Sequence, residues 1–139
     1  MAGYLIDTNV ISEIRKGARA DGGVRRWFDE HLDDDMWLSV LVVGELRRGV
    51  ESISRRDPTA GAAIEGWLDG IVSEFADRVL PITLPMAERW GRLSVPDPLP
   101  VVDGLLAATA IEHELVLVTR NTADVERTGV ETVNPFDDL

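Results

Sequence analysis

The sequence of 139 residues predicts an α/β fold in which helices cover both faces of a central, mostly parallel sheet of four to five strands. Short apolar runs alternate with amphipathic stretches along the whole chain, as strands alternate with helices in such folds. The run at 115–119 is apolar at nearly every position, which is typical of a strand buried on both faces. Because no repeat, low-complexity tract or linker divides the chain, we expect residues 1–139 to form a single three-layer α/β/α domain.

The first apolar run is interrupted by a carboxylate. A strand is expected at 3–6, Asp7 follows at its carboxyl end, and Thr8 or Asn9 is expected to cap a short helix through about residue 16. Open α/β sheets bind their ligands at the carboxyl ends of their strands. Asp7 is therefore a candidate functional residue, although a local turn or a helix cap would explain it equally well.

An acidic run separates the next helix from the second strand. The helix is expected at about 24–32, and the aspartates at 33–35 end it. These aspartates lack the ligand spacing and the glycine of an EF-hand loop, so a solvated turn is favoured over a metal site.

The second strand is followed by a helix with a charged residue on its apolar face. Residues 36–39 predict the strand, and Ser39 is a natural cap for a helix at about 40–53. Glu45 falls within the apolar stripe of that helix, three residues after Val42. A charged side chain thus projects from a face that should be buried, which a surface role does not explain.

The second half of the chain continues the alternation. Helices are expected at about 59–76, 85–93 and 101–113, with a short strand or linker at 79–82 and strands at 115–119 and 130–133. Asp103 lies in the first turn of an otherwise apolar helix, where the helix dipole alone could favour it. Asn121 and Asp124 follow the strand at 115–119, and either could cap a last short helix.

Composition limits the chemistry that is available. The chain has no cysteine, which excludes disulfides and zinc–thiolate sites, and its two histidines, His31 and His113, are expected to interact with helix C-termini. A net charge of −11 argues against general nucleic-acid binding through a basic surface. No signal peptide or membrane span is visible, so a soluble, cytoplasmic protein is expected.

Four polar residues are expected to converge at one edge of the sheet. They are Asp7, Glu45, Asp103 and Asn121, which lie at strand ends or early in helices. Burying carboxylates together is costly unless a cation compensates, and Mg²⁺ favours oxygen ligands of this kind. Such an ion can activate water and stabilise charge on a phosphoryl oxygen, and it would let an acidic protein engage a nucleic acid.

Four ordered segments of the chain resemble the PIN domains and, within them, the VapC-type ribonuclease toxins of bacterial toxin–antitoxin pairs. The segments lie at 5–13, 44–49, 103–110 and 118–124, and the closing Asn134-Pro135-Phe136 is also similar. The resemblance implies an Mg²⁺- or Mn²⁺-dependent endoribonuclease that acts as a growth-inhibiting toxin. It also implies a homodimer and a cognate antitoxin that inserts a basic side chain into the acidic site, forming a hetero-oligomer.

The same resemblance assigns roles to individual residues. Asp7 and Asp103 correspond to the main metal ligands, and Glu45 to a further ligand that holds the attacking water or acts as its base. Asn121 and Asp124 would complete the site, but many relatives carry an aspartate at the position of Asn121, so a second metal site is in doubt. The candidates for phosphate contacts are arginines near these segments: Arg15, Arg47, Arg48 and Arg120.

Two other functional classes are weighed. An acidic-site phosphohydrolase or receiver domain is disfavoured, because Asn9 replaces the second aspartate of the haloacid-dehalogenase pattern and the only lysine, Lys16, lies early in the chain. A catalytically weak or inactive PIN-like module that acts by binding a protein remains open, because Asn121 weakens the site. The sequence shows neither which RNA is cleaved nor which antitoxin binds.

Overall fold

The computed structural model describes residues 3–137, which form a five-stranded sheet and the helices around it. The strands are β1 (Gly3–Ile6), β2 (Met36–Ser39), β3 (Val79–Leu80), β4 (Leu115–Val118) and β5 (Thr132–Val133). The α-helices of this part of the chain are α1 (Thr8–Ile14), α2 (Gly22–Glu30), α3 (Val40–Arg56), α4 (Pro58–Glu74), α5 (Leu84–Leu93), α6 (Val101–Glu112) and α7 (Thr122–Val125). Short 3-10 turns lie at Gly17–Arg19 and Glu126–Thr128.

The sheet is parallel throughout and has the order β3-β2-β1-β4-β5. In the register of β1 with β4, Leu5 pairs with Leu117 and Ile6 pairs with Val118. Parallel neighbours need crossover connections, and here helices supply them and cover both faces. The predicted three-layer α/β/α class is thus confirmed. The carboxyl ends of β1 and β4 lie side by side, which brings Asp7 next to the segment that follows Val118.

The core lies on both faces of β1 and β4. Leu5, Ile6 and Val118 are fully buried in the sheet, and Val42 and Leu106 are fully buried on the helices that cover it. Each such side chain contributes about 1.5–3 kcal/mol through burial. The strand expected at 115–119 is an inner strand as its apolar character predicts, while β1 occupies the centre.

Several expected boundaries shift by a few residues. Asp7, and neither Thr8 nor Asn9, is the cap of α1, because Asp7 is the last residue with extended backbone and its carboxylate accepts the N–H of Thr8. Ser39 caps α3 as expected, accepting the N–H of Leu41 at 3.0 Å. The last strand is shorter than expected, since only Thr132–Val133 pairs with β4.

A tight hairpin joins α3 to α4. Asp57 ends the first helix and caps the second, its Oδ1 accepting the N–H of Ala60 at 3.1 Å. Gly61 lets the two helices approach, because a Cβ there would lie 2.7 Å from Cα of Ser54. The hairpin holds α3, and with it Glu45, against the rest of the domain.

Other expectations concern single residues. His31 and His113 both lie at helix C-termini as predicted, directly after α2 and α6. The aspartates at 33–35 lie in the turn and the start of the extended segment before β2. Within residues 3–137, no helix has both the length and the apolar character needed to cross a membrane.

Candidate active site

Asp7 lies where β1 gives way to α1 and is 5% exposed. Its Oδ1 accepts the backbone N–H of Thr8 at 2.7 Å, and its Oδ2 accepts the hydroxyl of Thr119 at 2.7 Å. Asn9 Nδ2 approaches the same Oδ2 at 3.4 Å. Burial, with a smaller contribution from the negative charge of Glu45, raises the pKa of Asp7, although the hydrogen bonds from Thr119 and Thr8 act in the opposite direction. The carboxylate is therefore held firmly, and no ion pair within residues 3–137 joins it to a basic side chain.

Glu45 faces the first turn of α1 from α3. It is half-buried between Val42 and Leu46, and the Thr8 hydroxyl donates to its Oε1 at 2.5 Å. The sequence thus placed it correctly on the inward side of the helix. Its negative charge contributes to the raised pKa of Asp7, so the two carboxylates lie close to one another.

Asp103 brings the third carboxylate to this region from the first turn of α6. Burial, and then the negative charges of Asp7, Asp124 and Glu45, raise its pKa from 3.8 to about 6. Because the charges of Asp7, Asp124 and Glu45 act on Asp103, these four carboxylates lie near one another and are called the acidic cluster below. The predicted convergence of Asp7, Glu45 and Asp103 is therefore present in the structure.

Asn121 also belongs to this cluster, but it acts as a donor. Its side chain hydrogen-bonds Asp103 and lowers the pKa of that carboxyl, while its backbone N–H donates to the Thr119 hydroxyl at 3.0 Å. Asn121 is the N-cap residue of α7, as one of the two alternatives expected, although its side chain makes no capping hydrogen bond. Asp124, in the first turn of α7, is exposed and adds negative charge.

The cluster suits a hard divalent cation. None of the ion pairs found within residues 3–137 involves any of its four carboxylates. In the same residues, no three His, Cys, Asp or Glu side chains are placed closely enough to form a metal cage. Mg²⁺ commonly takes one or two carboxylates and keeps several waters, so Asp7 and Asp103 fit its requirements as a pair.

A groove leads away from Glu45. It lies between α1, α3 and α4, has a volume of about 290 Å³, and is lined by Glu45, Arg15, Trp67 and mainly apolar neighbours. Arg15, one of the predicted phosphate-binding arginines, thus lines the same groove as Glu45.

The other predicted phosphate contacts are placed differently. Arg47 pairs with Glu65 at 3.5 Å and with Asp69 at 3.4 Å, which ties it to α4. The Arg120 guanidinium lies 4.4 Å from the ring centroid of Phe136. Arg48 is exposed on α3. The structure therefore does not bring the four arginines together as one phosphate-binding surface.

Two threonines of the site were missed at the level of sequence. Thr8 bonds Glu45, and Thr119 bonds Asp7. Each lies within two positions of a predicted site residue and directly follows a strand or a candidate acid. That proximity is the signal that could have identified them.

The raised pKa of Asp103 predicts a pH dependence of stability in the metal-free protein. The folded chain retains a proton on Asp103 that the unfolded chain releases between pH 3.8 and about 6. This stabilising contribution is complete below pH 3.8 and is lost as the pH rises through about 6. Urea denaturation in EDTA should show that the free energy of unfolding of wild type, relative to Asp103→Asn, falls across this range. A constant difference would contradict the raised pKa of Asp103, which burial causes first and the neighbouring negative charges second.

Comparison with known proteins agrees with this architecture. A family model described as PIN domain matches residues 4–130. The chain is 31% identical to VapC ribonuclease Y4jK of Sinorhizobium fredii, over 96% of this chain and 97% of that protein. It is 32% identical to Toxin FitB of Neisseria gonorrhoeae, over 96% of this chain and 99% of that protein. The crystal structure of FitAcB from Neisseria gonorrhoeae superimposes with a TM-score of 0.85 and 31% identity, covering 95% of this chain and 97% of that one.

Proposed function

The chain belongs to the PIN-domain family, and from that premise we propose that it is a metal-dependent endoribonuclease that hydrolyses RNA phosphodiester bonds. The observation that carries the proposal is the acidic cluster of Asp7, Glu45, Asp103 and Asp124, which has no ion-pair partner within residues 3–137. Repulsion between clustered, partly buried carboxylates destabilises a fold, and a bound cation reduces that repulsion. The relative named as a VapC ribonuclease supports the choice of reaction.

Each residue then has a definite task. Asp7 and Asp103 would hold Mg²⁺ or Mn²⁺, and the ion would stabilise the negative charge that develops on the phosphate. Glu45, whose Oε1 is fixed by Thr8, keeps Oε2 to orient the attacking water and accept its proton. Asn121 keeps Asp103 oriented through its hydrogen bond. Asp124 adds negative charge that favours the cation.

We further propose that the protein is a growth-inhibiting toxin that a cognate antitoxin neutralises in the cytoplasm. Its similarity to Toxin FitB and to the FitAcB crystal structure supports this role. The acidic cluster offers a site for a basic antitoxin side chain, which would take the place of the cation and block RNA. In this proposal the toxin is a homodimer, and the homodimer and the antitoxin together form a hetero-oligomer.

Metal removal tests the proposed reaction. The purified chain should cleave single-stranded RNA with Mg²⁺ or Mn²⁺, lose that activity in excess EDTA, and regain it when the metal is restored. Cleavage that persists in EDTA would contradict the proposal, because the carboxylates alone cannot neutralise the charge of the reacting phosphate.

A second function, binding a protein partner without catalysis, is favoured by one observation. Asn121 leaves the site with one negative charge fewer than an aspartate there would give. If the chain binds an antitoxin but cleaves no RNA with either metal, this second function replaces the first.

A further inference from the structure

Thr119 is one of the few polar residues that the domain buries. Within residues 3–137, the others are Asp7, Ser39 and Thr109. Ser39 caps α3, and Thr109 donates its hydroxyl to the carbonyl of Leu105 in its own helix. Thr119, at 1% exposure, instead links two segments that are 112 residues apart in the chain.

The direction of its hydrogen bonds is fixed by chemistry. The backbone N–H of Asn121 can only donate, so the Thr119 oxygen accepts there at 3.0 Å. The hydroxyl proton is then free for Asp7 Oδ2, which lies at 2.7 Å. The buried hydroxyl thereby pairs with one donor, the N–H of Asn121, and one acceptor, Asp7 Oδ2.

Asp7 is consequently held from two directions. The first turn of α1 holds Oδ1 through the Thr8 N–H, and the end of β4 holds Oδ2 through Thr119. The same β4 end reaches Asp103 through the side chain of Asn121. One short turn, 119–121, therefore orients both carboxylates that would hold the cation.

We propose that Thr119 is a positioning residue for the cation site, acting through Asp7 and making no contact with the ion itself. The proposal rests on the proposed function, because it assumes that Asp7 is a ligand. Partners that orient a ligand commonly change metal affinity by 10- to 100-fold when they are removed. Valine has nearly the same shape as threonine but lacks the hydroxyl, so Thr119→Val tests the contribution of the hydroxyl itself.

The experiment measures Mg²⁺ affinity by isothermal titration calorimetry of the full chain. Thr119→Val should bind Mg²⁺ about 10- to 100-fold more weakly than wild type, since Asp7 Oδ2 loses its 2.7 Å hydrogen bond and keeps only the one from Asn9 at 3.4 Å. Thr119→Ser keeps the hydroxyl and should restore affinity close to wild type. RNA cleavage by Thr119→Val should require correspondingly more Mg²⁺, with its rate largely recovered at saturating metal.

Thr109→Val is the matched control, because it also removes a fully buried threonine hydroxyl but one that bonds Leu105. It should leave Mg²⁺ affinity unchanged.

If circular dichroism shows that Thr119→Val is unfolded, Thr119→Ala is compared with Thr119→Ser in its place, with the Mg²⁺-induced rise in Tm as a second readout. Wild-type affinity in a folded Thr119→Val or Thr119→Ala would overturn the positioning role alone. Failure of the wild-type chain to bind Mg²⁺ would overturn the proposed function as well.

Discussion

Replacing Asp103 with asparagine should lower the rate of Mg²⁺-dependent RNA cleavage at least about 100-fold. Asparagine keeps the size of the side chain and can stand in the first turn of α6, so the fold should survive. What the substitution removes is one of the two carboxylates proposed to hold the ion, whereas the amide oxygen of asparagine can still accept the hydrogen bond from Asn121. The measurement is the initial rate of cleavage of a fluorescently labelled RNA at saturating Mg²⁺.

Asp29→Asn is the matched control for this variant. Asp29 is an exposed carboxylate on α2, outside the acidic cluster, and its replacement changes the net charge by the same amount. Activity of the control should stay near that of wild type. If Asp103→Asn kept more than about a tenth of wild-type activity while the control was unchanged, Asp103 would not be a ligand of the reaction's metal.

Leu106→Ala should destabilise the domain by about 2–5 kcal/mol. Leu106 is fully buried on α6, one turn after Asp103, and belongs to the core that packs on the sheet. Truncation to alanine removes its burial and leaves a cavity that the surrounding helices fill only in part. Equilibrium denaturation in urea, with the slope against denaturant checked for constancy, measures the loss.

Val101→Ala provides the control on the same helix. Val101 is 58% exposed, so its truncation should change the free energy of unfolding by no more than about 0.5 kcal/mol. Equal losses in the two variants would show that α6 does not form the buried layer described above.

The fold was predictable because its signals are local. The run at 115–119 and the alternation of strands and helices follow from hydrophobic patterning within short windows of sequence. The same patterning marked Glu45 as a charge on an inward face, and the structure places it there against Thr8. The shortness of β5 was not predictable, since it depends on how many residues pair with β4.

The site was predictable only in outline. The sequence indicated that strand ends and helix starts would bring Asp7, Glu45 and Asp103 together, because parallel sheets place these points on one edge. It could not show that Asn121 donates to Asp103, since an amide can donate or accept and its partner decides which.

Long-range partners account for most of what was missed. Thr119 hydrogen-bonds Asp7, which is 112 residues away in sequence. Arg47 forms ion pairs with Glu65 and Asp69 only because α3 and α4 pack as a hairpin. The roles of all these residues in catalysis remain predictions that the variants above test.

Anomalous scattering from Mn²⁺ tests the central claim most directly. Crystals of the full chain soaked in Mn²⁺, with data collected near the manganese absorption edge, locate the ion independently of any activity assay. We predict an anomalous peak between the carboxylates of Asp7 and Asp103, at oxygen distances typical of the metal, and its loss in Asp103→Asn. No peak beside Asp7 at saturating Mn²⁺ would contradict the claim that these two carboxylates hold the catalytic cation.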